Sequence, residues 1–82
     1  MNINDKVKEL IIDKAGLDKE ISDIKNEEYL LSGGYNLDSV VIIEIISELE
    51  EIFDIIFDDE DISLENFSSV NNIVNIVKSK GV

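Results

Sequence analysis

The chain has 82 residues, with 19 acidic side chains against 7 lysines and a formal net charge of −12. That length leaves room for one domain, expected over residues 1–82, and the charge opposes binding to nucleic acid or an anionic membrane, so a basic or neutral partner is expected. The absence of Arg, His and Cys removes thiol and histidine nucleophiles, disulfides, zinc sites and bidentate guanidinium clamps.

Apolar residues still make up 44% of the chain, enough to fold, and without staples so small a domain needs well-patterned amphipathic elements. Asn2 or Asn4 can cap a first helix, residues 4–15, whose Ile3, Val7, Leu10 and Ile11 follow helical spacing and which stops at Lys14 and Gly16. From Leu17 to Asp38 the pattern loosens into a long loop with one helical turn around 18–24, anchored by Ile21, Ile24, Leu30 and Leu31. A connection this long in a small domain is usually functional, so it reads as a docking or positioning loop.

Asp38 or Ser39 then caps the most strongly patterned element, a helix running to about Phe53. On a wheel of 100° per residue, Val41, Ile42, Ile45, Ile46, Leu49, Ile52 and Phe53 share one core-facing arc, opposite Glu44, Ser47, Glu48, Glu50, Glu51 and Asp54. Val40 and Ile43 fall outside the apolar arc. Either they pack against the preceding loop and the core boundary, or they form a small apolar contact spot ringed by Glu. Asp58-Asp59-Glu60-Asp61 is a charge run, followed by a short capped turn or third helix over 63–67. The fourth helix, 69–80, opens at Ser69 and buries Val70, Ile73, Val74 and Val77. The expected fold is all-α: a small four-helix bundle of three longer helices and one short one. Its core is expected from Val7, Leu10, Ile11, Ile45, Leu49, Phe53, Ile73, Val74 and Val77.

Residues 39–66 hold ten carboxylates and no lysine. Such a field costs stability through self-repulsion, which points to recognition and steering, with plain solubility as the alternative. The Asp run fails the calcium-loop template, because Leu64 stands where Gly is required and Val70 where the bidentate Glu is required. Gly33-Gly34 lacks the Lys of a phosphate loop. Of the eight serines, Ser39 alone combines a helix N-terminus, a preceding Asp, a long presenting loop and flanking Val40 and Ile43. By itself, a serine there is an N-cap.

The string Leu37-Asp38-Ser39-Val40 follows a Gly-containing turn, with Glu44 and Glu50-Glu51 along the helix and Phe53-Asp54 at its end. With the charged loop, the Ile62–Val70 passage and the final aliphatic helix, it resembles the acyl carrier protein family, including stand-alone peptidyl and D-alanyl carriers. The resemblance implies that Ser39, next to Asp38, receives 4′-phosphopantetheine from coenzyme A through a separate magnesium-dependent phosphopantetheinyl transferase. The arm's thiol would carry acyl or aminoacyl groups as thioesters in fatty acid, polyketide or nonribosomal peptide synthesis. The chain itself would be non-catalytic. Leu37, Val40, Ile43, Glu44, Ser47, Glu48 and Glu51 would meet the transferase and the loading enzymes and synthases through their basic patches.

Three positions depart from the family pattern: Asn36 where Gly is common, Val40 where Leu or Met is common, and Val41 where an acid is common. Asn tolerates left-handed backbone angles, and the extra apolar residues point to a specialised pathway. A monomer is expected from the repulsive field. A cytoplasmic location is expected because no basic leader or membrane span precedes or interrupts the pattern. Two other classes stay open: an acidic interaction module without a prosthetic group, and a carboxylate or metal-dependent enzyme. Ser39→Ala separates them from a carrier, and the cargo is not encoded in any residue.

Overall fold

The computed structural model describes residues 2–82. It is all-helical: α1 (Ile3–Ala15), α2 (Ser39–Phe53) and α3 (Val70–Ser79), joined by segments containing 3-10 turns at Ile21–Asp23, Asp59–Asp61 and Glu65–Phe67. None of these helices is long and apolar enough to cross a membrane.

Asn2, rather than Asn4, caps α1, its side-chain oxygen accepting the Asp5 N–H at 3.2 Å. Gly16 ends the helix at φ 65. Its N–H reaches Asp13 O at 3.4 Å and the Leu17 N–H reaches Ile12 O at 3.0 Å, the paired bonds of a Schellman stop. Val7, Leu10 and Ile11 are buried, and α1 packs against both α2 and α3.

The 17–38 segment is firmly attached despite its irregular backbone. Ile24, Leu30 and Tyr35 are buried, and two backbone bonds tie the segment to the start of α3: Leu30 N–H to Ser68 O at 2.7 Å and Asn71 N–H to Asn26 O at 2.9 Å. Its single helical turn, Ile21–Asp23, falls within the expected 18–24 window.

Helix α2 buries Ile42, Ile45, Ile46 and Leu49. Phe53, expected in the core, is only half-buried and packs against its edge. The cause is the helix end. Asp54 takes φ 54, reversing the chain, and Ile55 and Phe57 turn inward to occupy the space beyond the last turn. Glu50 fixes that reversal by accepting the Phe57 N–H at 2.9 Å.

The short helix expected over 63–67 is a single 3-10 turn, Glu65–Phe67, with Ser63 Oγ accepting the Asn66 N–H at 3.2 Å. Phe67 is fully buried beside Phe57, ring centres 6.2 Å apart. The second turn, Asp59–Asp61, lies inside the charge run. There Asp61 accepts the Asp58 N–H at 2.9 Å, and Lys80 bridges Asp61 at 2.6 Å and Asp58 at 3.3 Å. The run is therefore clamped to the end of α3 rather than wholly solvated. Ser69 caps α3 by accepting the Asn72 N–H at 3.1 Å, and Ile76 joins the expected stripe in the core.

Candidate functional site

Ser39 is the first residue of α2 and is exposed. The residue that caps the helix is Asp38, whose carboxylate accepts the Val41 N–H at 2.9 Å while its carbonyl accepts the Ile42 N–H at 3.0 Å. With Asp38 taking the capping role, the Ser39 hydroxyl is released from it. The N–H groups of Ser39 and Val40 meet no acceptor among the described residues, and they stand at the positive end of the α2 dipole.

The approach to this terminus is tightly specified. Asn36 holds φ 56, the left-handed angle that Asn tolerates where Gly is common. The Asp38 N–H returns to Asn36 O at 3.1 Å. Leu37 is half-buried against the core, so it anchors the turn as well as flanking the site.

Val40 and Ile43 are 63% and 58% exposed, so neither packs away against the loop or the core. With Ser39, Glu44, Ser47 and Glu51, all exposed, they form one stripe along α2, because residues three and four apart share a helix face. Glu48 differs. It is half-exposed, and its carboxylate lies 3.5 Å from the Lys14 ammonium of α1. Burial opposes charge on Lys14, but Glu48 and then Asp13 outweigh it and raise the lysine above its ordinary value.

An apolar groove of about 210 Å³ opens beside Ser39, between α2 and the 62–64 segment. Ser39, Ile42, Ile43, Ile62, Ser63 and Leu64 line it. Ile62 and Leu64 are exposed, and sequence reasoning gave them no role at the site. The available signal was two apolar residues alternating within a charged stretch. The phosphopantetheine group implied by the resemblance fits these residues. A phosphate on Ser39 would find unpartnered N–H groups and a helix dipole, and the chain beyond it would find an apolar groove.

Sequence reasoning also missed a pair upstream. The buried Tyr35 hydroxyl donates to Glu28, and the Lys19 ammonium lies 5.6 Å from the centre of the Tyr35 ring. Burial, and next the Glu28 bond, push the Tyr35 pKa up to about 12, while the Tyr35 bond and then the Lys25 N–H hold Glu28 below its ordinary value.

The family described as "Phosphopantetheine attachment site" matches residues 5–77. An acyl carrier protein of Clostridium acetobutylicum is 40% identical over 75 residues, covering 92% of this chain and 91% of its own. One of Buchnera aphidicola is 39% identical over 77 residues, covering 94% and 92%. In structure, the chain is similar to a holo acyl carrier protein of Nitrosomonas europaea solved by solution NMR, with a TM-score of 0.84 at 28% identity over 98% of this chain and 96% of that one. Sequence and fold agree over nearly the whole length, and the chain belongs to the acyl carrier protein family, with acyl carriage as its function and 4′-phosphopantetheine as its prosthetic group.

Proposed function

We propose that Ser39 is the attachment point of 4′-phosphopantetheine and that residues 1–82 act as one non-catalytic carrier domain. The observation that carries this reading is an exposed serine at the first residue of a helix capped by its neighbour, beside an apolar groove. In the loading reaction the Ser39 oxygen attacks the pantetheine-side phosphorus of coenzyme A. An Oγ–P bond forms, the P–O bond to the leaving 3′,5′-ADP breaks, and the serine proton passes to a base of the transferase. Once bound, the arm supplies a thiol that holds the acyl load as a thioester.

The chain's own residues present and recognise. Asp38 fixes the start of α2, the Ser39 and Val40 N–H groups would receive a phosphate carried by the serine, and Val40 and Ile43 offer an apolar contact. Glu44, Glu51 and, where Lys14 releases it, Glu48 meet basic patches on the transferase, loading enzymes and synthases. Leu37 supports this surface from below and Ser47 lies within it. The relatives named above favour an acyl load, and self-repulsion favours a monomer.

The test is intact mass after incubation with coenzyme A, magnesium and a broad-specificity phosphopantetheinyl transferase. The native chain should gain one phosphopantetheine and Ser39→Ala none. A gain on Ser39→Ala, or none on the native chain with several transferases, would refute the assignment.

A further inference from the structure

Most of the 17–38 segment has neither helix nor strand, so side chains must set where its last residues sit. Three buried anchors do so, Ile24, Leu30 and Tyr35, and Tyr35 is the last of them before Ser39. Only Asn36, Leu37 and Asp38 intervene, and each is constrained: Asn36 by its left-handed angle, Leu37 by packing and Asp38 by its cap. Displacement of Tyr35 therefore passes to the amino end of α2 with little slack.

The Tyr35 ring is 3% exposed, and a buried phenol needs a partner for its hydroxyl. Glu28 supplies it through one carboxylate oxygen, while the other accepts the Lys25 N–H at 3.4 Å. The pair thus closes the 25–35 stretch into a loop pinned at both ends, with Lys19 covering the ring from outside. Among the described residues no hydrogen bond links either one to Ser39.

We propose that the Tyr35–Glu28 pair is a positioning device for the modification of Ser39, holding the loop so that the α2 terminus meets the transferase with the serine hydroxyl already presented. The inference rests on Ser39 being the attachment point. The docking acids lie on the body of α2, so breaking the pair should alter turnover within the encounter complex and leave its formation nearly unchanged.

Transfer kinetics with coenzyme A, magnesium and a broad-specificity transferase test this on the native chain, Tyr35→Phe, Glu28→Ala, Glu28→Gln and the Tyr35→Phe/Glu28→Ala double variant. Circular dichroism melts measure the folded fraction of each. Tyr35→Phe and Glu28→Ala are each expected to lower kcat about five- to tenfold with KM within about twofold. Glu28→Gln keeps an acceptor oxygen and should retain the native rate, and the double variant should be no slower than either single one. Native kcat in Tyr35→Phe, a Glu28→Gln as slow as Glu28→Ala, additive losses, or a rate that merely follows the folded fraction would each overturn the proposal. Ser39→Ala separates the two layers: modification of that variant sinks the attachment reading, whereas an unmodified Ser39→Ala beside an unaffected Tyr35→Phe sinks only the positioning role.

Discussion

Lys14 of α1 and Glu48 of α2 face each other across the helix interface, ammonium to carboxylate at 3.5 Å. One of the proposed docking acids is thereby met by a cation of its own chain, whereas Glu44 and Glu51 remain exposed. Removing the lysine should sharpen the stripe's negative field. In Lys14→Gln, KM for a transferase is expected to fall about two- to threefold at low salt, and the difference should vanish near about 1 M salt. Titrating the kinetics against ionic strength checks it, and a salt-independent change would mean that packing rather than charge is responsible.

Asp38 carries the cap of α2, so its loss exposes the first turn. Asp38→Ala is expected to cost about 1 kcal/mol by urea unfolding, and Asp38→Asn, which can still accept the Val41 N–H, much less. Modification of Ser39 should slow in the same order. An Asp38→Ala chain as stable as the native one would show that the cap contributes nothing.

Val40 and Ile43 are exposed in a helix whose other aliphatic residues are half-buried or buried. Val40→Asp and Ile43→Asp should therefore leave stability within about 0.5 kcal/mol of native. Each should nevertheless lower kcat/KM for transfer roughly tenfold, by setting a carboxylate against an apolar contact. Unfolding by either substitution would mean that the residue belongs to the core after all.

The Lys80 clamp defines a pH window. The Lys80 bond, then the Asp58 N–H, holds Asp61 below its ordinary value of 3.8, and the Asp61 bond raises Lys80 above its ordinary 10.5. A lowered carboxylate stabilises the fold above its unfolded pKa and loses that contribution as pH falls through the folded value; a raised lysine stabilises below its unfolded pKa and loses it as pH rises through the folded value. The Tm difference between native and Lys80→Gln chains should be constant between those limits and shrink beyond either. Melting curves across that range test this, and a difference that widens in acid contradicts it.

The site was legible to the extent that it depends on local periodicity. A helical wheel set Val40 and Ile43 apart from the core arc, and both are exposed. It also placed Phe53 among buried residues, because a wheel continues past the point where the helix meets the edge of the core. The irregular stretches carry no period, so Tyr35, Ile55, Phe57 and Phe67 had no pattern to mark them as buried.

Capping illustrates the same division. Asn2 or Asn4, and Asp38 or Ser39, are chemically adequate alternatives in sequence; the backbone angles at Asn2 and Asp38, −84 and −98 in φ with extended ψ, selected the caps. Local sequence was enough to locate the three longer helices, most of each apolar face, the Gly16 stop of α1 and the motif around Ser39, since these depend on residues within one or two turns of each other. Which charges are free is a matter of packing between elements. Glu48 meets Lys14 from another helix, Asp61 meets Lys80 across the α3 segment, and Tyr35 meets Glu28 across an irregular loop. Those pairings depend on how the elements pack, and no spacing along the chain encodes them.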